Sequence, residues 1–486
     1  MNFKKKAVMI LFCVFLSVSV VGQTINGLPV HIKKLSDNAI RLWVGDYISS
    51  TAVCALKTDK GIVVIDTTQC PEVDKHFRKI IAKNFNSNNF VYLINTHEHG
   101  DHTSGNQIYS DCEIIAHELC AEGMKRNRGD IKRIISWYRE AIPRREKKLA
   151  ELQKGSDEYR KSHEQLIVSK MSLESLEKSS GMQFPTKTFK DNMKLDMGNM
   201  TLELYYMGGL HSASDIFILV PEKGLLFTGD VMADTWYTDT PGCLQSFGGR
   251  PGIKRDLPLM MKNWKSLIAR KDEIKDYVPG HWNGDLSYEG FVKRYKYLAV
   301  LNKEVKKAAK EGKELETVFH DLDLKTRFPE LDGKPGFTIG FVHTNNILNL
   351  WTETTGARSA SQMLSTLIEK KGIKEAVSQF KSDYKNPSKS DKLYYMEGEF
   401  NSLGYRYLNH EKFDEAITVF KLNVKMNPES WNVYDSLGEA YIKAGKKEEA
   451  MECYKKALKL NPKKTDGQKK QHAAQIKILN ELKKGE

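Results

Sequence analysis

The sequence predicts an α/β region followed by an all-α region. Short apolar runs bounded by Gly, Asp, Asn and Pro recur from residue 24 to about 117 and from about 194 to 281, a pattern typical of β-strands. Between these blocks, residues 118–183 are strongly charged and follow a helical period. In the C-terminal part the pattern is helical, and one segment recurs at a shift of 34 residues.

Length and composition are consistent with more than one folded domain. The chain has 486 residues, of which 40% are hydrophobic and 28% are charged, which is typical of a globular protein with a sizeable core. The formal net charge is +13, but the lysines are spread over helical segments, so solvated helix faces explain them and no nucleic-acid partner is expected. The six cysteines after residue 22 include no Cys-x-x-Cys pair.

The first 22 residues have the layout of a secretory signal peptide. Lys4, Lys5 and Lys6 precede an apolar run, and small residues precede an expected cleavage between Gly22 and Gln23. The run is short for a membrane anchor, and no other apolar run is long enough to span a bilayer. We therefore expect a periplasmic or secreted protein with a net charge near +10 after the three lysines are removed.

The predicted elements follow in order along the chain. Strands are expected at 40–44, 51–58, 61–67, 90–96, 113–117, 194–209, 215–220, 224–230 and 276–281. Residues 118–183 are expected to form a helical hairpin, broken at Gly155 and Ser156, inserted into the strand-rich domain. The sequence does not decide whether this hairpin is a packing arm, a lid or a dimer contact. Pro329 and the Gly333–Gly336 run indicate a linker over 320–356.

The C-terminal segment 357–486 contains two aligned repeats at about 397–464. The matched pairs are Gly404 with Gly438, Tyr407 with Tyr441, Ala416 with Ala450, Phe420 with Tyr454, and Pro428 with Pro462. This spacing of small, aromatic and proline positions resembles the tetratricopeptide repeat, in which each repeat is a pair of helices. A helix over 467–484 is expected to cap the repeats. They would serve as an intramolecular brace or bind a protein partner.

A cluster of histidines follows the predicted strand at 90–96. His97, His99, Asp101 and His102 stand within six positions, where a turn leaving a strand can direct two pairs of side chains to two neighbouring points. Imidazoles with one carboxylate are a ligand set that zinc prefers. The pattern predicts two metal ions in one pocket. His117 also ends a predicted strand but is expected to be structural.

The motif resembles the metallo-β-lactamase superfamily. Later segments are similar to that family's remaining motifs in the same order, and they supply His211, Asp230 and His281 beside glycines at strand ends. The resemblance covers about residues 30–285 and implies a four-layer αββα domain at 23–319. It further implies that one zinc ion is held by His97, His99 and His211, the second by Asp101, His102 and His281, with Asp230 bridging both.

The implied chemistry is hydrolysis by a hydroxide that bridges the two zinc ions. Asp101 would orient this hydroxide as well as bind metal. No Gly-x-Ser-x-Gly motif, nor Ser-x-x-Lys with suitable partners, supports serine hydrolysis. Asp230 is similar to the bridging aspartate of broader hydrolase groups, whereas true metallo-β-lactamases have cysteine or serine there. We therefore expect an exported hydrolase of an ester, thioester, lactone, amide or sulfate ester.

Two alternatives remain from the sequence. The first is hydrolysis of β-lactam antibiotics. The second is an interaction protein in which the tetratricopeptide repeats bind a partner and the metal domain is a structural or recruited module. Trp236, Tyr237 and the loop that follows them either line the pocket or pack elsewhere.

Overall fold

The computed structural model describes residues 23–47, 50–128, 131–179, 181–232, 255–281, 287–329, 337–385, 392–461, 463 and 466–484. The expected signal peptide and the loop with Trp236 and Tyr237 lie outside these ranges. The chain divides into a first unit, which ends at Asn349, and a second unit, which begins at Leu350 and also includes residues 311–315.

The first unit contains two β-sheets. In the described part of the chain the larger sheet has eight strands, arranged in chain order, with antiparallel pairing up to the fifth strand and parallel pairing beyond it. These strands are β1 (Thr24–Ile25), β2 (Leu28–Ser36), β3 (Ala39–Val44), β4 (Val53–Lys57), β5 (Ile62–Ile65), β6 (Phe90–Ile94), β7 (Glu113–His117) and β8 (Lys187–Phe189).

The smaller sheet has five strands among the described residues, in the order β13-β12-β11-β10-β9. The pair β12 and β13 is parallel and the other pairs are antiparallel. These strands are β9 (Asn192–Asp196), β10 (Thr201–Tyr206), β11 (Ile216–Val220), β12 (Leu225–Gly229) and β13 (Asp276–Pro279).

The helices of the first unit lie between and after these strands. They are α1 (Pro71–Phe85), α2 (Gly100–Thr103), α3 (Glu118–Arg128), α4 (Ile131–Glu151), α5 (Asp157–Glu177), α6 (Leu257–Ala269), α7 (Tyr288–Lys310), α8 (Leu315–Asp321), α9 (Leu324–Arg327) and α10 (Phe337–Thr355), the last of which continues into the second unit. Short 3₁₀ turns occur at Asn106–Tyr109, Pro221–Lys223 and Lys271–Glu273.

The two sheets pack face to face and each is covered by helices. Leu56 and Val63 of the larger sheet share one buried cluster with Leu202 and Ile218 of the smaller sheet. A second cluster lies on the opposite face of the larger sheet, where α1 and α5 pack, and α6 and α7 cover the smaller sheet through rings that contact Phe217. The predicted αββα fold is confirmed. All side chains of β5 and β11 are buried, as expected for strands covered on both faces.

The helical insertion forms helices α3 to α5. Its last helix is part of the core, because Val168 and Met171 of α5 lie in the same buried cluster as Phe77 of α1. On the hairpin itself, Arg145 of α4 donates to the Ser169 hydroxyl of α5 at 2.8 Å. The segment 320–356, expected to be a linker, contains α9 and the whole of α10, where the apolar residues Ile347 and Leu348 are buried.

The second unit is mostly helical. Its elements are α11 (Ala360–Lys371), α12 (Ile373–Lys385), α13 (Glu397–Asn409), α14 (Phe413–Met426), α15 (Trp431–Lys443), α16 (Lys447–Leu460) and α17 (Asp466–Lys484), with a short strand pair β14 (Arg358–Ser359) and β15 (Leu393–Tyr394). The predicted repeats correspond to the pairs α13–α14 and α15–α16. A Cβ on Gly404 would lie 2.5 Å from the Phe420 ring, and one on Gly438 would lie 2.9 Å from the Tyr454 ring. The glycines therefore let the helices approach closely.

Two further features of the sequence can be compared with the structure. Cys54, Cys70, Cys112, Cys120 and Cys453 are free thiols, and Cys243 lies outside the described residues. In the described part of the chain, no helix is long and apolar enough to cross a membrane.

Candidate metal centre

The seven predicted ligands follow strands that end at one edge of the two-sheet sandwich. His97 and His99 come after β6, and Asp101 and His102 lie in the short helix α2. Asp230 directly follows β12, whereas His211 and His281 lie in the loops after β10 and β13. The backbone N–H of Ile216 on β11 donates to the Thr96 carbonyl at 2.9 Å, so the sheets are tied together at this edge.

Four of these side chains form the first ligand group. His97, His99, His211 and Asp230 each direct one donor atom to a common point, and these atoms lie within 4.8 Å of one another. His211 Nε2 is 3.0 Å from His99 Nδ1 and 3.6 Å from Asp230 Oδ2. His97 Nε2 is 3.9 Å from the same carboxylate oxygen.

The second ligand group consists of Asp101, His102, Asp230 and His281, with the same 4.8 Å limit on the separation of their donor atoms. His102 Nε2 and His281 Nε2 lie 3.3 Å and 3.1 Å from Asp230 Oδ2. They lie 3.6 Å and 3.5 Å from Asp101 Oδ2. Asp230 Oδ2 is therefore shared by both groups. The structure brings all seven predicted residues together.

Buried atoms without hydrogen-bond partners indicate what this arrangement can bind. His97 Nε2, His102 Nε2 and Asp230 Oδ1 are buried and accept or donate no hydrogen bond. Unpaired polar atoms in a protein interior are costly, and a cation at their common point would satisfy them. Histidine nitrogens with carboxylate oxygens match the donor set of a transition metal. Both groups are therefore able to bind metal.

Asp66 orients two of the histidines and was missed by the sequence analysis. Its Oδ2 lies 2.9 Å from His102 Nδ1 and accepts from the Thr96 hydroxyl at 2.7 Å. That hydroxyl is in turn 3.0 Å from His97 Nδ1. Because Nδ1 of each histidine is engaged in this chain, Nε2 is left free to face the metal site. The position of Asp66 directly after the apolar run of β5 was the signal available in the sequence.

The loop that carries His211 is held by two further buried carboxylates. Asp215 accepts from the backbone N–H groups of Leu210 and Ser212, both at 2.8 Å. Glu98, between two ligands, accepts from Ala213 N at 3.3 Å and from the Ser214 hydroxyl. Burial raises the pKa of Asp215 to about 7, although these hydrogen bonds act in the opposite direction. Sequence analysis missed both residues, because it had no contact information for them.

The pKa shifts of the ligands determine which of them are neutral and which are charged. Burial and the neighbouring histidines lower the pKa of His97 far below the ordinary value, and burial lowers that of His211 to about 4. These rings are therefore neutral, which is the form that binds metal. Burial also opposes ionisation of Asp230, but His102 and His281 outweigh it and hold the pKa of this carboxyl well below its usual range. The shared ligand is thus an anion.

Comparison with known proteins assigns the family. Residues 43–281 match the family model of the metallo-beta-lactamase superfamily, and residues 431–464 match the tetratricopeptide repeat. The first unit contains a metallo-β-lactamase superfamily domain. This superfamily includes hydrolytic enzymes. The predictions of this domain and of a tetratricopeptide repeat are both confirmed.

Two curated relatives match parts of the domain. The metallo-beta-lactamase type 2 of Bacteroides fragilis is 26% identical over 106 residues, which are 22% of this chain and 39% of that protein. The 2,4-dinitroanisole O-demethylase subunit alpha of Nocardioides sp. (strain JS1661) is 33% identical over 78 residues, which are 16% of this chain and 24% of that protein. The chain thus spans less than half of the length of either relative.

Similar solved structures include a metallo-beta-lactamase from Pontibacter korlensis, with 18% identity, a TM-score of 0.36, and coverage of 55% of this chain and 99% of that one. The inverting sec-alkylsulfatase from Pseudomonas sp. has 13% identity, a TM-score of 0.44, and coverage of 85% of this chain and 62% of that one.

His117 of the metallo-β-lactamase domain does not belong to either ligand group. Its Nε2 donates to the Lys190 carbonyl at 2.6 Å, and its Nδ1 accepts from the Leu119 N–H at 3.3 Å. The ring stacks on Tyr206 with a centroid separation of 3.6 Å. Burial lowers the pKa of His117 to about 4. These contacts need the neutral ring, so His117 supports the structure next to the site.

The first prediction concerns the pH dependence of stability. Because His117 has a lower pKa in the folded chain than in the unfolded chain, the unfolded chain binds the extra proton first as the pH falls below about 6.5. Between pH 7.5 and pH 5, His117 should therefore remove about 2 kcal/mol from the free energy of unfolding. The variant His117→Gln cannot titrate, so it should lose about that much less over the same interval.

Urea unfolding of both proteins in the presence of a chelator, at pH 7.5 and pH 5, measures this difference. The chelator keeps metal binding from contributing to the comparison. Equal losses in His117→Gln and in the wild type would show that His117 does not titrate between the folded and unfolded states as described.

Proposed function

We propose that the metallo-β-lactamase domain is a hydrolase that uses two zinc ions. The observation that carries this proposal is the sharing of Asp230 Oδ2 between two ligand groups, each with three further donors. One group would hold the first zinc ion through His97, His99 and His211. The second ion would be held by Asp101, His102 and His281.

The donor set supports zinc. Zinc binds imidazole nitrogen and carboxylate oxygen, needs no redox partner, and accepts the irregular geometry that a loop-built site provides. When bound, such ions act as Lewis acids and lower the pKa of water to about 7. The residues of the chain would position the ions, bind the substrate and accept protons.

We assign to Asp101 the role of orienting the attacking water. It is the more exposed of the two carboxylate ligands, with 37% of its side chain accessible against 8% for Asp230. Burial opposes its ionisation, but His102 and His281 outweigh this and hold the pKa of Asp101 below its ordinary value. An ionised, accessible carboxylate can accept a hydrogen bond from the attacking water and orient it towards the substrate.

We propose an ester, thioester, lactone, amide or sulfate ester as substrate, because an activated water can attack the carbonyl or sulfur centre of each. Hydrolysis of β-lactams is the competing proposal. It is disfavoured by Asp230, because true metallo-β-lactamases have a cysteine or a serine at the corresponding position. The interaction-protein alternative is disfavoured by the complete set of seven ligands. The tetratricopeptide repeat supports an additional role in binding a protein partner.

The second prediction tests metal binding and catalysis together. The full-length wild type should contain two zinc ions per chain, measured by mass spectrometry of the metal content. His99→Ala removes one donor of the first group, and Asp230→Asn weakens the shared ligand. Each variant should therefore bind less zinc and hydrolyse its substrate more than about 100-fold more slowly, since even residues that only support metal ligands cost 10–100-fold.

His320→Ala is the matched control, because this histidine is 90% exposed on its side chain and lies outside both ligand groups. It should keep the wild-type zinc content and rate.

The substrate is found by screening nitrocefin, lactones, thioesters, phosphodiesters and alkyl sulfates. A wild type without transition metal, or full activity in His99→Ala, would contradict the proposal. Turnover of nitrocefin alone would favour the β-lactamase alternative.

We also propose that the enzyme acts outside the cytoplasm, as a periplasmic or secreted protein. The support is the signal-like sequence of residues 1–22, with its three lysines before an apolar run. The third prediction is that the mature protein, purified from its native host, begins at Gln23. N-terminal sequencing measures this, and an intact Met1 in the mature protein would contradict export by cleavage.

A further inference from the structure

The helical insertion contacts a loop that leads to the second ligand group. Glu164 of α5 is buried, with 7% of the residue exposed, and faces the connection between β3 and β4. Its Oε1 accepts from the Asp46 N–H at 3.1 Å, and its Oε2 accepts from the Tyr47 N–H at 2.9 Å. Both carboxylate oxygens thus bind the backbone of this connection.

A second residue of α5 contacts the same loop. Arg160, one turn before Glu164, donates to the Tyr47 hydroxyl at 2.7 Å and places its guanidinium 5.3 Å from the centre of the Tyr47 ring. Helix α5 is itself fixed by Val168 and Met171, which are buried in the core of the unit. The insertion is therefore a rigid support for this loop, because the helix that touches it is part of the core.

The far end of the β3–β4 connection touches two ligands of the second group. The Thr51 hydroxyl donates to the Asp101 carbonyl at 2.7 Å, and Thr51 pairs with His281 as an isolated antiparallel bridge. Next to it, the Ala52 N–H donates to the Gly280 carbonyl at 2.8 Å. The Ser50 hydroxyl donates to the Val44 carbonyl at 2.7 Å, which ties Ser50 to the end of β3, two residues before Asp46.

Among the residues that the structure describes, these ties reach ligands of the second group. The described contacts of the β3–β4 connection reach Asp101 and the segment around His281, which belong to the second group. The loop that carries His211, in the first group, is held instead by Glu98 and Asp215. A change in the β3–β4 connection should therefore alter the second group and leave the first unchanged.

We infer that Glu164 is a positioning residue for the second ligand group, and that the helical insertion holds this half of the site in place through the β3–β4 connection. The inference rests on the proposed function, in which the second group holds a zinc ion. It gives the insertion a defined function: the insertion supports the geometry of Asp101 and His281 from a distance.

The fourth prediction compares three variants of the full-length protein. Glu164→Ala removes both acceptors, Glu164→Gln keeps one acceptor oxygen, and Glu174→Ala changes an exposed residue of the same helix that pairs with Lys178. Zinc is titrated into each metal-free protein by calorimetry. In Glu164→Ala the affinity for the second ion should fall about 10–100-fold while the affinity for the first stays at the wild-type value. Glu164→Gln should be intermediate and Glu174→Ala unchanged.

Hydrogen exchange of the same metal-free proteins gives a readout that does not depend on zinc. In Glu164→Ala the backbone amides of residues 46, 47 and 52 should exchange about tenfold faster or more, because they lose their fixed acceptors or the support of the loop. Amides of α1 and of the segment that carries His211 should be unchanged.

The results separate this inference from the proposed function. Unchanged exchange at residues 46, 47 and 52, an unchanged second zinc affinity in Glu164→Ala, or an equal loss of both affinities would each overturn the positioning function alone. A wild type that binds no zinc would overturn the proposed function and this inference together.

Discussion

Both ligand groups of the candidate metal centre depend on one carboxylate. Asp230 lies directly after β12, and its Oδ2 is within 4 Å of four histidine nitrogens from three other segments of the chain. A buried anion at this point is stable only because His102, His281 and any bound cation compensate its charge. The edges of both sheets must therefore keep their relative position to within a fraction of an ångström, and the hydrogen bond from Ile216 to Thr96 joins them there.

The support for this arrangement is a set of buried acids that bind no metal themselves. Asp66 orients His97 and His102, Glu98 and Asp215 hold the loop with His211, and Glu164 holds the connection that touches the second group. Each acid accepts hydrogen bonds from backbone or hydroxyl donors, which offset part of the cost of its burial. The ligands are thus positioned by contacts within the protein, which would reduce the cost of arranging them around a metal ion.

Much of the fold followed from simple patterns in the sequence. Most strands between residues 39 and 279 could be predicted because covered strands such as β5 and β11 are continuously apolar and are bounded by glycine, aspartate or proline. The short β8 was not predicted, and the stretch expected at 194–209 forms two strands, β9 and β10. The repeat positions Gly404 and Gly438 were recognisable because only a small residue fits against an aromatic ring. By contrast, α1, α6 and α7 were not predicted. Helix α10 was not predicted either, because the glycines and prolines that precede it indicated a linker.

The metal-ligand candidates were predictable from the sequence, but the residues that support them were not. Histidines and an aspartate within six positions identify ligands directly, whereas Asp66, Glu98 and Glu164 are single acids whose role depends on contacts between distant segments. Glu164 is 118 positions from Asp46 and 117 from Tyr47, and no local pattern reveals such contacts.

The most direct test of the central claim is a crystal structure of the zinc-loaded protein, with anomalous diffraction recorded on both sides of the zinc edge. Two anomalous peaks are expected about 3.5–4 Å apart, with Asp230 Oδ2 at about 2.0–2.2 Å from both. A single peak, or two peaks that do not share Asp230, would contradict the account.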